Sequence, residues 1–264
     1  MLYKYCTTEG FDILLKARLK AAKIENFNDP FELVFGVDEE TAIDNIRKEY
    51  ENNKEIISHW QNTLVDQNIE YEKKSEEDII KKFTELLIKD FRKSIQAIRE
   101  SWNEGMGVVC LSELPDIIQM WAHYTDNHKG IVIGLDENQF VKGAEELVKV
   151  CYRDEMVLLP VTGIPGKLDE YHKYFDDVIR RKESNWRYEK EARLYSGLQE
   201  KDVDGNYYFD IPTASITEIY LGLRSNETTE IIAKSIKQRK EYYHLKIYKM
   251  DRHESAFKLV PIEL

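Results

Sequence analysis

Short apolar runs separated by polar turns follow one another along most of this chain. Leu2–Cys6, Val108–Leu111 and Gly130–Leu135 each have the length and apolar content of a strand. Further strands are predicted at 147–152, 192–195, 207–211, 216–221, 244–250 and 257–262. Strands are therefore expected to be densest in the second half of the chain.

The segment from 38 to 104 follows a helical period instead. Ser75 starts its clearest helix, because Asp78 follows at the spacing of a capping box. The apolar residues after it recur every three or four positions and form one stripe. They are Ile80, Phe83, Leu87, Phe91, Ile95, Ile98 and Trp102. Other helices are predicted at 11–19, 116–124, 168–184 and 228–241.

Helices and strands mixed in this way predict an α+β fold. We expect a single mixed sheet, mostly antiparallel or split, with flanking helices. We interpret residues 1–264 as one domain that carries a helical insertion at 38–104.

Composition narrows the class of protein. The net charge is −11, and an acidic surface repels phosphate backbones and anionic lipids. General nucleic-acid binding and membrane binding are therefore disfavoured. The three cysteines are far apart in the sequence, and the sequence has no signal-peptide pattern and no apolar run near 18 residues. We expect a cytoplasmic protein with free thiols.

Polar and aromatic residues crowd between two strand-like runs at 112–130, which is typical of a functional site. Ser112, Trp121, His123 and Tyr124 are the candidates there. Trp121 and Tyr124 can instead anchor a helix in the core, with a tight turn following it.

A metal site in this segment has weaker support. Asp116, His123 and Asp126 offer ligands in principle, but His123 and His128 are five positions apart and do not share a helical face. We expect no metal.

The run Trp186–Arg193 is the second candidate for chemistry. If it enters a strand, Glu189, Glu191 and Arg193 share one face, because side chains alternate along strands. Two neighbouring carboxylates, one oriented by an arginine, suit acid–base chemistry or the binding of ribose hydroxyls. An exposed strand start or a structural Glu–Arg pair would give the same pattern.

The first strand adds a cation between two aromatic residues. Lys4 lies between Tyr3 and Tyr5 and is able to donate to an anionic or ribose-bearing ligand. The motifs of P-loop proteins, dinucleotide-binding dehydrogenases, serine hydrolases and HExxH zinc proteases are missing from the sequence.

Taken in order, these pieces resemble the domain-of-unknown-function family numbered 2971. The resemblance covers nearly the whole chain, with 38–104 as a variable insertion. The segments that carry it are 2–5 with the threonine pair after it, Phe27–Glu32, Cys110–Glu113, Met120–Tyr124, Asn127–Gly130 and Trp186–Arg193.

That layout is in turn similar to ADP-ribosyltransferase folds, which place a His or Arg on the first strand, a serine on a later strand and a catalytic Glu after it. The matching positions are Lys4, Ser112 and Glu189 or Glu191. Lys4 departs from the pattern, since lysine donates but makes no planar contact.

This resemblance implies an enzyme that uses nicotinamide adenine dinucleotide (NAD), as a transferase or a hydrolase, and such enzymes often act as toxins or phage-defence effectors. It implies that Glu191 holds the ribose hydroxyl and that Glu189 positions the acceptor. Lys4 would hold the dinucleotide, and Ser112 and Tyr124 would shape the pocket.

The candidate site therefore has Glu189 and Glu191 as catalytic groups. Its ligand-binding residues are Lys4, Tyr5, Ser112, Trp121, His123, Tyr124 and Arg193. Two alternatives stay open. One is a non-catalytic module that binds a protein partner through the helical insertion, and the other is a metal-dependent nuclease or hydrolase that uses Asp116, His123, Asp126 and Glu191.

Overall fold

The computed structural model describes residues 1–69, 75–140, 146–161, 168–198 and 200–264. The strands are β1 (Leu2–Cys6), β2 (Arg18–Ala21), β3 (Phe35–Asp38), β4 (Met106–Ser112), β5 (Ile131–Leu135), β6 (Glu146–Lys149), β7 (Cys151–Tyr152), β8 (Val157–Pro160), β9 (Arg181–Lys182), β10 (Glu191–Gly197), β11 (Tyr207–Asp210), β12 (Ile216–Leu221), β13 (Lys246–Arg252) and β14 (Leu259–Glu263). The helices are α1 (Phe11–Lys16), α2 (Ala42–Asn52), α3 (Ile56–Asp66), α4 (Glu76–Gly105), α5 (Ile118–Tyr124), α6 (Glu137–Phe140), α7 (Leu168–Arg180) and α8 (Glu227–Lys237).

The chain divides into two compact units. The first contains residues 1–30, 103–152 and 182–264, and the second contains 31–102 and 153–181. The predicted α+β class is confirmed. The interpretation of 1–264 as one domain with an insertion stays a prediction.

A mixed sheet organises the first unit. Its strands are hydrogen-bonded in the order β14-β13-β12-β5-β1-β4-β10-β6. The β12–β13 pair is parallel, and the other neighbours in this order are antiparallel. The mostly antiparallel sheet predicted from the sequence is confirmed.

Each face of this sheet has its own apolar core. On one face, Leu111, Ile133 and Ile219 pack with residues of α1 and α8. On the other face, Val132 and Tyr220 pack with residues of α5. Alternation along the strands produces this division, since neighbouring side chains point to opposite faces.

The middle of the sheet is where the site lies. β1 pairs with β5 along its whole length, from Leu2 opposite Leu135 to Cys6 opposite Ile131. The register between β1 and β4, in contrast, is the single pair Tyr3 and Ser112. The two strands therefore part beyond that pair, which leaves a gap in the sheet between them.

The second unit contains most of the segment 38–104 that the sequence predicted to be helical, and this segment forms α2, α3 and α4. α2, α3 and α4 enclose an apolar core in which Trp60 stacks on Phe83, with ring centroids 4.8 Å apart. Ser75 caps α4 as predicted, because its Oγ accepts from the Asp78 N–H at 3.2 Å. Within the described residues, no helix has both the length and the apolar character needed to cross a bilayer.

Candidate functional site

A cavity of about 190 Å³ opens where β1 and β4 part. Aromatic and apolar side chains share its lining with charged groups. The lining residues are Tyr3, Lys4, Tyr5, Ala22, Asn26, Phe27, Asn28, Asp29, Cys110, Leu111, Met120, Tyr124, Lys182, Trp186, Glu189 and Glu191.

Lys4 crosses the gap between the two strands. Its Nζ donates to the carbonyl oxygen of Cys110 at 3.0 Å, so a side-chain hydrogen bond spans the position where the β1–β4 ladder has ended. Lys4 is also one of the residues that line the cavity. Lys4 thus brings a positive charge into the lining.

The backbone before β10 differs from the predicted strand. Ser184–Glu189 form a 3₁₀ helix, and Lys190 follows in the left-handed region at φ 47°. Glu189 and Glu191 therefore do not meet through strand alternation, and that expectation was wrong for Glu189. They meet because this tight turn directs both carboxylates toward the same buried cation.

That cation is Lys182. Its Nζ donates to Glu189 Oε2 at 2.6 Å and to Glu191 Oε2 at 2.7 Å. Arg193 lies behind Glu191, with its Nε 2.8 Å from Oε1 and its Nη2 3.1 Å from Oε2. All four side chains are buried, and none of these residues is more than 7% exposed. We call these four residues the buried charge cluster.

Glu191 is held as an anion by its neighbours. Burial alone would raise the pKa of its carboxyl group, but the charges of Arg193 and Lys182 outweigh burial and lower that pKa to about 2. The two carboxylates raise the pKa of Lys182 in the same way, against the effect of burial. A protonated ammonium is no nucleophile, so Lys182 serves as a fixed positive charge.

Tyr124 connects the cluster to the cavity. Its Oη donates to Glu189 Oε1 at 2.6 Å. Burial, together with this hydrogen bond, raises the pKa of the phenol, so it stays protonated and remains a donor at neutral pH. Tyr124 is also one of the residues that line the cavity.

Several predicted binding residues turn out to support the walls. Ser112 is fully buried, and its Oγ donates to the backbone oxygen of Glu189 at 2.7 Å. Tyr5 lines the cavity, and its hydroxyl donates to the Leu114 carbonyl at 2.8 Å. Trp121 is fully buried and donates through Nε1 to the Pro115 carbonyl at 2.7 Å. It anchors α5 in the core, which was the alternative interpretation of that residue.

His123 lies apart from this arrangement. It is exposed and is not among the residues that line the cavity. It does not form a ligand group with Asp116 and Asp126. Over the described ranges, with their gaps at 70–74, 141–145, 162–167 and 199, no group of three or more His, Cys, Asp or Glu side chains is placed to hold a metal ion.

Cys110 lines the cavity without the character of a reactive thiol. Burial raises the pKa of its thiol well above the ordinary value, and the negative charge of Glu191 adds to this effect. Thiolate is the nucleophilic form of cysteine. At neutral pH the Cys110 side chain is therefore a small apolar part of the wall.

Of the nine residues predicted from the sequence, the structure brings together in one lining Lys4, Tyr5, Tyr124, Glu189 and Glu191. Arg193 and Ser112 contact that group from behind. Sequence reasoning missed Lys182, which sits at the end of a segment predicted as helical, and it also missed Trp186, whose ring centroid lies 5.0 Å from the Lys182 Nζ. The signal that could have identified Lys182 was its position in the sequence, seven residues before Glu189.

The fold and the site define an α+β protein with a small cavity above a buried cluster of two carboxylates and two cations. The family model described as "Protein of unknown function (DUF2971)" matches residues 120–194 of this chain. The matched stretch includes most of α5 as well as Lys182, Glu189 and Glu191, and it supports the family resemblance seen in the sequence. Searches of curated proteins and of solved structures returned no match.

Proposed function

We propose that this protein is an enzyme that binds a ribose-bearing dinucleotide, with NAD as the substrate, in the cavity between β1 and β4. The reaction cleaves the bond between the ribose and its nicotinamide and passes the ADP-ribose to an acceptor. The observation that carries this proposal is the pair of carboxylates in the cavity wall, one of them held as an anion well below neutral pH.

The chemistry of the bond needs a fixed negative charge. When the bond between ribose C1′ and the nicotinamide nitrogen breaks, its electron pair leaves with the nicotinamide, and positive charge develops on the ribose. An acceptor hydroxyl, amine or water then bonds to C1′ and gives its proton to a nearby base or to solvent. A preorganised carboxylate stabilises that developing charge without reorganising during the step.

The size and lining of the cavity suit part of such a substrate. The cavity volume of about 190 Å³ is below the roughly 300–1,000 Å³ of most ligand pockets. The cavity therefore suits one ribose with its attached nicotinamide ring better than a whole dinucleotide. Tyr3, Phe27 and Trp186 supply aromatic faces for the ring, and Lys4 supplies a cation.

If the protein is a transferase, as the resemblance to ADP-ribosyltransferase folds implies, the acceptor is a macromolecule. If it is a hydrolase, the acceptor is water. A toxin or phage-defence role belongs to the same proposal. The protein would act in the cytoplasm, which agrees with its free cysteines.

The test is to incubate the purified protein with NAD labelled in the nicotinamide or in the adenine. We expect nicotinamide release, and transfer of the adenine label if the acceptor is a macromolecule. Glu189→Gln should remove turnover, and Ala22→Phe should block the cavity. Glu113→Gln and Ala256→Phe are the matched controls, because both residues lie outside the lining. Absence of both binding and turnover in the wild-type protein would disprove the proposal.

One observation favours a second candidate, a non-catalytic interaction module. The charges of the buried cluster compensate one another, as expected of a structural network. In that case the exposed face of α4 would bind a protein partner. Cellular activity that survives Glu189→Gln but is lost when Lys82 and Lys93 are changed to Glu would support it, since these α4 side chains are 40% and 67% exposed.

A further inference from the structure

We propose that the two carboxylates have different tasks: Glu189 contacts the ligand, and Glu191 is a positioning residue that fixes Lys182 from behind. This inference rests on the proposed function and deepens it. It assigns the ribose contact to Glu189, whereas the resemblance to ADP-ribosyltransferase folds implies that Glu191 makes it.

The first argument is the acceptor capacity of Glu191. A carboxylate accepts about four hydrogen bonds. Glu191 already accepts three, from Arg193 Nε, Arg193 Nη2 and Lys182 Nζ, at 2.8, 3.1 and 2.7 Å. All three come from buried cations, and Arg193 does not line the cavity. About one acceptor position of the Glu191 carboxylate therefore remains for a ligand.

Glu189 has more capacity left. Each of its carboxylate oxygens accepts one hydrogen bond at 2.6 Å, from Tyr124 at Oε1 and from Lys182 at Oε2. About half of its acceptor positions are therefore open. Both donors line the cavity, so the open positions lie next to the space that a ligand would enter.

Lys182 makes the division of tasks useful. Its ammonium has three protons, and two of them are used by the two carboxylates. Arg193 orients Glu191, and Glu191 holds Lys182 from behind, so Lys182 keeps Glu189 in position while it accepts from a ligand hydroxyl. The charge that faces the ligand is thus preorganised by the charges behind it.

The open acceptor positions of Glu189 indicate which chemical group of a ligand can bind there. A carboxylate beside a donating phenol recognises a group that both donates and accepts, such as the vicinal hydroxyls of a ribose. We infer that the site discriminates between ribose and 2′-deoxyribose forms of the same ligand, and that Glu189 carries this discrimination.

The experiment compares Glu189→Gln with Glu191→Gln, since each keeps the side-chain size and removes the charge. Melting temperatures are measured without ligand, kcat and KM are measured with NAD, and affinities are measured for ADP-ribose and its 2′-deoxy analogue. Assays are run well below each melting transition, so that folded molecules are compared.

We expect Glu189→Gln to lower kcat/KM by about a hundredfold or more, the scale of a lost acid–base or electrostatic contact. It should also lose most of the preference for ribose, with a smaller loss of melting temperature than Glu191→Gln, because Lys182 keeps its hydrogen bond to Glu191. Glu191→Gln should show the larger loss of melting temperature, because it leaves Arg193 and Lys182 without their shared anion, and it should keep the preference for ribose.

The inference fails if Glu191→Gln loses the ribose preference while Glu189→Gln retains it, or if Glu189→Gln is the less stable of the two. Both outcomes are compatible with turnover of NAD by the wild-type protein, so they leave the proposed function intact. If the wild-type protein binds neither NAD nor ADP-ribose, the proposed function is wrong and this inference is wrong with it.

Discussion

Ion pairs of the same residue types occur in two very different settings in this protein. In the buried charge cluster, the Lys182 and Arg193 side chains are 5% and 1% exposed. Along α2 and α4, Arg47 pairs with Asp44 and Glu77 at 3.0 and 2.6 Å, but its side chain is 39% exposed. The distances are alike, and the difference is the access of water.

Access of water decides what each group of charges does. Exposed pairs gain little, because solvent screens their attraction and holding long side chains together costs entropy. A buried pair is strongly coupled, and removing one partner leaves an uncompensated charge. The buried cluster should therefore control stability and the protonation state of its members, whereas the pairs on the helices should control neither.

Removing a buried cation should have the largest effect on stability. Arg193→Met leaves Glu191 with Lys182 as its remaining cation and should reduce the free energy of unfolding by about 3–5 kcal/mol. Urea unfolding followed by circular dichroism measures it. Arg47→Met is the matched control, since Arg47 also donates two hydrogen bonds to carboxylate oxygens, and it should change little. Equal losses would show that burial is not what separates the two settings.

Acid should reveal the second difference. The pKa of Glu191 falls from 4.5 in the unfolded chain to about 2 in the folded protein, which corresponds to about 3 kcal/mol. Because the folded pKa is the lower one, this stability is fully present above pH 4.5 and is lost as the pH falls toward 2. The gap in unfolding free energy between wild type and Glu191→Gln should narrow over that window. The gap for Glu77→Gln should stay small throughout, and a wide gap at pH 2 would contradict the argument.

Some features of the two regions could be predicted from the sequence, because they depend only on residues a few positions apart. Ser75 and Asp78 are three positions apart, and a capping box needs nothing else, so the start of α4 was predictable. Trp121 and Tyr124 share a helical face because they are three positions apart, and His123 falls on another face. Its exposure was therefore available from the spacing as well.

The buried charge cluster was only partly predictable from the sequence. It depends on a backbone turn that the alternation of residues along a strand does not predict. The alternation of Glu189, Glu191 and Arg193 indicated a shared face, but Glu189 ends a 3₁₀ helix and Lys190 adopts φ 47°. The role of Lys182 depends on that turn. Lys4 was expected at a ligand site, but its bond to Cys110 requires the parting of β1 and β4, which is a tertiary feature.

A smaller effect should come from the hydrogen bond between Tyr124 and Glu189. Tyr124→Phe removes a donor to a buried carboxylate and should cost about 1.5–3 kcal/mol of unfolding free energy. Tyr208→Phe is the matched control, because Tyr208 also donates to a carboxylate at 2.6 Å, that of exposed Asp204. Chemical denaturation of both variants measures the difference. If the control loses as much as Tyr124→Phe, the burial of the acceptor is irrelevant.

The smallest expected effect is that of salt on the cluster, and it gives the most direct contrast with the helices. The screening length falls from about 10 Å at 0.1 M to about 3 Å at 1 M salt, but only where ions and water reach the charges. The loss of unfolding free energy caused by Arg193→Met should therefore be the same in low and high sodium chloride. Whatever small loss Arg47→Met causes should decrease toward zero in 1 M salt. A loss for Arg193→Met that shrinks with salt would mean that solvent reaches the cluster through the cavity, and the fixed charge assigned to Glu191 would then have to be reconsidered.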